Sequence, residues 1–213
     1  MTDRLYSPLD RVLGQFDDAL RTVFTQPQAA RPTPANTKTD DTLNTAEREL
    51  AGRLMRVNHS GEICAQALYQ GQALTATLPD VRKKLEQAAS EENDHLAWTE
   101  TRVRELGTHT SYLNPLWYTG SFALGAAAGL AGDRWSLGFL AETEHQVVEH
   151  LGGHLSRLPA KDHKSRAVVE QMREDERQHA TIAVEAGAAE LPRPVKNLMR
   201  LASKLMTTTV YWV

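Results

Sequence analysis

One cysteine, Cys64, stands in 213 residues. This excludes an intramolecular disulfide and any cysteine-rich zinc or iron–sulfur site, and it suits a reducing cytoplasm. Alternating β-branched runs are almost missing, whereas Ala, Leu, Glu, Gln and Arg abound. The balance predicts an all-α chain. There is no GxGxxG and no Walker A run, so no tightly bound nucleotide cofactor is expected. Charge is nearly balanced, with 24 Lys+Arg against 27 Asp+Glu and a net charge of −3. No basic stretch dominates, and nucleic acid is not an expected partner. The opening MTDRLYSPLDRV has no basic stretch followed by an apolar run, so no signal peptide is expected.

What is present divides the chain into three. Residues 1–25 hold a short amphipathic helix over 8–24, with Leu9, Val12, Leu13, Phe16, Leu20 and Phe24 roughly on one side. Residues 26–44 are rich in Pro, Thr, Ala and Asp and have the composition of a flexible linker. The main domain, 45–213, starts at a candidate N-cap, Thr45. Its helices are predicted at about 46–77, 80–106, 114–131, 134–158, 162–189 and 194–210, with Gly107 just past the end of the second. Four long helices on short links predict an antiparallel bundle.

Residues 111–132, SYLNPLWYTGSFALGAAAGLAG, carry no charge. The length could span a bilayer, but Asn114, Pro115, repeated glycine and the Ala-rich composition favour a buried crossover or a helix dipping into a membrane face. Trp117 and Tyr118 suit an interface. Gly125 and Gly129 form a GxxxG, a weak signal in such a run.

Polar residues interrupt the helices at chosen phases. In EDERQH (174–179), helical spacing puts Val168, Met172, Glu176, His179 and Ala183 on one stripe. In EENDH (91–95), the stripe is Val81, Leu85, Ala88, Glu92, His95, Thr99 and Val103. Each therefore carries Glu-x-x-His on an inward face, while Glu91, Asp94, Glu174 and Asp175 fall off the stripe. Two more acids lie on inward stripes: Glu62, among Leu54, Met55, Asn58, Ala65 and Tyr69, and Glu144, among Leu137, Leu140, Val147 and Leu151. The order is Glu, Glu-x-x-His, twice.

A buried carboxylate is costly unless paired or coordinated. Four of them with two imidazoles need cations, and two divalent metals would neutralise the set. Hard oxygen donors with one imidazole per metal suit iron or manganese. This donor pattern is the one ferritin-like carboxylate bundles use. The expected fold is thus all-α, a ferritin-like antiparallel four-helix bundle with additional amphipathic and apolar helices. The expected metal residues are Glu62, Glu92, His95, Glu144, Glu176 and His179. His150, six residues after Glu144, is a candidate to support a ligating carboxylate from behind. His59, His145 and His154 are expected to be partly exposed, His109 and His163 to lie in loops, and Cys64 to be a small buried side chain.

LMRVNHSGE (54–62), EENDHLAW (91–98), AETEH (141–145) and EDERQHA (174–180) resemble the demethoxyubiquinone hydroxylase family, over about residues 48–213. The resemblance implies that the six residues above are the ligands of two irons, with Glu92 and Glu176 bridging and Glu62 and Glu144 terminal. It implies a di-iron monooxygenase that uses dioxygen to hydroxylate a polyprenyl benzoquinol ring in ubiquinone biosynthesis. The reduced quinone could itself help to deliver electrons. Further implications are a peripheral place on the cytoplasmic face of the bacterial inner membrane, contact with lipid, partner proteins of the same biosynthesis and a homo-oligomer. The uncharged 111–132 region and the last helix are candidates for the lipid-facing part. One departure stands out: the family's eukaryotic His-His-Tyr run reads Glu149-His150-Leu151 here, so no role of that tyrosine carries over. The competing reading is a ferritin-like iron-storage or peroxide-handling protein. The single cysteine argues against a rubredoxin-type module in the second of these.

Overall fold

The computed structural model describes residues 8–39 and 42–213, without the side chains of residues 8, 9, 11 and 12. Leu9 and Val12 of the first apolar stripe therefore lie outside the described side chains. The described residues form seven α-helices and no strand. They are α1 (Pro8–Phe24), α2 (Thr45–Thr75), α3 (Pro79–Glu105), α4 (Asn114–Leu130), α5 (Asp133–Arg157), α6 (His163–Glu185) and α7 (Arg193–Val210), with a 3-10 turn at Pro34–Thr37.

Local chemistry sets the ends. Asn44, not Thr45, caps α2. Its side chain accepts from Glu47 N, and the Glu47 carboxylate accepts from Asn44 N, at 2.9 Å each. This reciprocal pair satisfies two donors that a helix start leaves open. Gly107 ends α3 as expected. It turns at φ +73°, and Thr108 N donates back to Val103 O. The same turn at Gly187, φ +96°, stops α6 at Glu185, four residues before the expected Ala189.

Helices α2, α3, α5 and α6 enclose the core, which has two apolar layers. One holds Leu54, Met55, Trp98, Val103, Leu151, Leu155, Val168 and Met172. The other holds Tyr69, Val81, Leu85, Ala88, Leu137, Leu140 and Ala183. These memberships fix the directions. α2 runs antiparallel to α3 and α5 antiparallel to α6, while α3 and α5 run the same way and need a crossover. α4 is that crossover. Between the two apolar layers each of the four helices contributes polar side chains to a third layer.

α4 lies along the outside of α2 at close range. A Cβ on Gly125 would sit 2.1 Å from Leu68 O, and one on Gly71 would sit 2.3 Å from Phe122 O. The Gly/Ala-rich composition of 111–132 is thus explained by helix–helix contact within the chain. No helix among the described residues is long and apolar enough to cross a membrane. Gly125→Ala is expected to push α4 off α2 and to cost about 1–3 kcal/mol, as overpacking does, read as a lower denaturant midpoint. An unchanged midpoint would show that the contact is not tight.

Residues 26–39, composed like a linker, lie against the bundle. Asn93 Nδ2 donates to Gln28 O at 2.6 Å, Trp98 Nε1 to Arg31 O at 3.2 Å, and Ala35 is buried in the core.

Candidate metal centre

The polar layer contains all six side chains singled out in the sequence, each at most 6 % exposed. Their donor atoms form two sets in which every atom lies within 4.8 Å of the others. One set is Glu62, Glu92, His95 and Glu176; the other is Glu92, Glu144, Glu176 and His179. Glu92 and Glu176 belong to both. His95 Nδ1 lies 2.9 Å from Glu92 and 3.1 Å from Glu176. His179 Nδ1 lies 2.9 Å from Glu176 and 3.2 Å from Glu92. Of the two histidines, Glu62 approaches His95, at 3.7 Å.

Electrostatics show what such a layer requires. Burial, together with the Glu92 and Glu176 charges, holds the Glu62 carboxyl well above the usual range. Burial and Glu176 do the same to Glu144. Glu92 shifts the other way: burial would raise it, but the charges of His95 and His179 and their hydrogen bonds outweigh that. Burial opposes the charge on both imidazoles, yet the carboxylates around them raise His95 well above its usual value and push His179 up to about 12. The raised values of His95, His179, Glu62 and Glu144 all favour protons within the layer, which offset its charge. Glu144 Oε1 is still buried without a hydrogen-bond partner. A buried acceptor of this kind is costly in a protein unless something else satisfies it. Two divalent cations would replace the protons and take up that oxygen. The residues present fit such a pair.

The outward nitrogens are held as well. His95 Nε2 donates to Asp175 at 2.9 Å, and His179 Nε2 donates to Glu91 at 2.8 Å. Each ring thus presents Nδ1 inward, and the acid behind it would keep the proton on Nε2 when Nδ1 gives up its own to a metal. Asp175 and Glu91 are the residues immediately before Glu176 and Glu92, and each crosses to the other motif's histidine. They fall off the apolar stripes, which is why stripe-counting missed them. The signal was there: an acid directly before each Glu-x-x-His, 100° round the helix, faces the neighbouring helix.

A family model described as "Ubiquinone biosynthesis protein COQ7" matches residues 49–210. The chain belongs to this family. The 3-demethoxyubiquinol 3-hydroxylase of Nitrosococcus oceani is 61 % identical over 214 residues, covering 100 % of both chains. The protein of the same name from Nitrosospira multiformis is 62 % identical over 205 residues, covering 96 % of this chain and 99 % of that one. Among solved structures, the dodecameric thioferritin, a bacterioferritin-related protein from Bacteroides fragilis, matches with a TM-score of 0.54 at 16 % identity. It covers 80 % of this chain and 94 % of that chain, and it shows that the fold is ferritin-like.

The remaining histidines of this COQ7-family chain divide. His145, His109 and His163 are exposed, whereas His59 and His154, expected to be partly exposed, are buried. His154 Nδ1 is 2.7 Å from Asn58 Oδ1, and His59 Nδ1 is 3.5 Å from Asn114 Nδ2. Burial holds both rings low, His59 at about 3 and His154 at about 2, so both are neutral. Helical phase did not reveal their cover, because it comes from α4 and from the chain end after α7. His150 packs on His154 with ring centroids 4.0 Å apart. No hydrogen bond joins it to Glu144 among the described residues. Cys64 is only partly exposed, and burial raises its thiol to about 11.

Loading two divalent ions at neutral pH is expected to release at least about two protons per chain, from His95 and His179, because a metal competes with the proton on each ligating nitrogen. The folded-state values of His95, His179, Glu62 and Glu144 are all raised, so affinity should fall as pH falls. Titrating metal into lightly buffered protein with a pH indicator measures the release. Fewer than about two protons would mean that the imidazoles are neutral before metal arrives.

Proposed function

We propose that this chain is a monooxygenase that hydroxylates the ring of 3-demethoxyubiquinol in ubiquinone biosynthesis, with two iron ions held by Glu62, Glu92, His95, Glu144, Glu176 and His179. The observation that carries the reading is the buried layer of four carboxylates and two imidazoles, organised as two sets that share Glu92 and Glu176. The names of the relatives, which this chain matches end to end, support the substrate.

When bound, a pair of ferrous ions supplies a binding place for dioxygen and electrons to activate it. The chain does the rest. Glu92 and Glu176, each reaching both histidines, would contribute a carboxylate to both ions. Asp175 and Glu91 keep His95 and His179 in the ligating tautomer. The apolar layers above and below exclude water, so oxygen chemistry is directed at the ring rather than lost to solvent. A cavity of about 380 Å³ lined by His150, His154, Arg157, Tyr211 and Trp212 is of a size that ligand sites use. Its His154 bonds Asn58, one turn from Glu62 on α2. We read it as the approach for the quinol ring.

The substrate's isoprenoid tail calls for a lipid-facing surface, and two features support one. α7 carries Arg193, Lys196, Arg200 and Lys204 with no acid, while Leu198, Leu201 and Leu205 are exposed. A basic amphipathic helix of this kind lies in a membrane interface. α1 packs Ala19 and Val23 towards α4's Tyr118 and Phe122, leaving Leu13, Phe16, Leu20 and Phe24 exposed, and α4 exposes Leu116 and Leu124. The chain would then work as a peripheral protein on the cytoplasmic face of the inner membrane.

The test is anaerobic reconstitution with iron, metal analysis, and oxygen exposure with a short-chain demethoxyubiquinol. Two irons per chain and a product gaining one hydroxyl are expected. Two irons with oxygen consumed but the quinol unchanged would favour storage or peroxide chemistry. A chain that takes up no iron would end the metal reading.

A further inference from the structure

The two halves of the metal layer are built alike but supported differently. Behind His179, Glu91 has a side chain 42 % exposed, and its further hydrogen bond is from Gln87 Nε2, at 2.9 Å. Behind His95, Asp175 is 12 % exposed and accepts from Gln171 Nε2 at 2.9 Å. Arg31, 144 residues earlier in the chain, also reaches it: its guanidinium lies 3.0 Å from Asp175 Oδ2. That is the same oxygen that accepts from His95 Nε2 at 2.9 Å.

Arg31, with a side chain 44 % exposed, is itself held by several contacts. Its Nε donates to Asp94 Oδ2 at 2.6 Å, and Ala30 N donates to Asp94 Oδ1 at 2.6 Å. Its guanidinium lies 4.9 Å from the centre of the Trp98 ring, and Trp98 Nε1 donates to its carbonyl. Trp98 in turn lies against His95, ring centroids 5.4 Å apart. The fork of one guanidinium thus bridges an acid on α3 and an acid on α6, a geometry an ammonium cannot copy. The segment that had the composition of a linker ends as a strap whose Arg31 fixes the orientation of one metal-facing histidine.

We propose that Arg31 is a positioning residue for the His95 half of the metal layer, and that the 26–35 strap makes the two metal subsites unequal. The strap keeps the His95 subsite rigid and leaves the His179 subsite, backed by exposed Glu91, free to adjust. This rests on the metal reading above. Loss of such supporting contacts usually costs about 10–100-fold in metal affinity. The effect should fall on one ion of the two.

The experiment titrates Co(II) into the full chain and into R31A and R31K, following visible absorption, with far-ultraviolet circular dichroism as the check on folding. Wild type should take up two Co(II). R31A should bind one of them about ten-fold more weakly, with the spectrum changed for that ion only. R31K should lie between, because it restores charge but not the two-acid bridge, and it carries the test should R31A lose helix. Two ions bound by R31A with wild-type affinities and spectrum would overturn the proposal. So would equal weakening of both ions, which means general loosening. Failure of wild type to bind Co(II) would instead remove the metal reading itself.

Discussion

Glu176→Ala and Glu92→Ala are each expected to abolish hydroxylation while leaving a helical protein. Each side chain approaches both histidines, so losing either one strips an anion from both subsites at once. Three carboxylates cannot neutralise two divalent ions in a dry layer. Turnover should fall by at least ~100-fold, beyond the usual loss for supporting residues. Normal turnover in either variant would mean that the ligand set is wrong. A companion variant separates function from stability. Burial and Glu176 raise the Glu144 carboxyl above its usual value. A group whose folded value is raised favours the folded state at low pH and loses that contribution as pH climbs towards the folded value. Replacing it with the non-titrating Glu144→Gln removes the loss. Metal-free Glu144→Gln should therefore melt higher than metal-free wild type at pH 8, with little difference at pH 4, and should bind less metal. A lower melting temperature at pH 8 would show that the carboxylate stabilises the metal-free fold.

The second large effect concerns α7. Leu198, Leu201 and Leu205 are 66 %, 64 % and 59 % exposed along one face of a helix with four cations and no acid. Lys196 and Arg200 reach Glu142 of α5, at 3.2 and 3.8 Å, which pins the helix to the bundle by its polar side. Partial burial of three leucines in lipid is worth about 1 kcal/mol each, or roughly 100-fold in partitioning together. Changing all three to Glu removes that gain and adds repulsion from anionic lipid. Sedimentation with vesicles containing anionic lipid should show at least ~100-fold weaker binding. Hydroxylation of a long-tailed quinol in vesicles should fall with it, while a short-chain quinol in solution is still turned over. Equal loss on both substrates would point to a damaged fold, and unchanged vesicle binding would move the lipid contact away from α7.

Periodicity alone identified much of the candidate site. Glu62, Glu92, His95, Glu144, Glu176 and His179 stand where helical phase demands core residues, and a carboxylate there has few physical excuses. The long helices were legible for the same reason, and the α3 terminus through Gly107. The exact caps were not. Thr45 is also a good capping type, but Asn44 takes the position because Glu47, three residues on, completes its reciprocal pair.

Sequence by itself therefore determined the helices, the inward faces and the chemistry of the buried layer, because phase is a local property of a 3.6-residue repeat. Tertiary structure decided what stands behind the layer. Asp175 and Glu91 point away from their own helix's apolar stripe, and they matter only because the opposite motif's histidine lies across the gap. Arg31 and its strap could not be read from composition, since Pro, Thr and Ala say nothing about which carboxylates the segment will meet. The uncharged 111–132 run became a crossover rather than a membrane span once Gly71 and Gly125 let two helix backbones touch. Long-range partners are a matter of which surfaces meet, and only the packed bundle settles that.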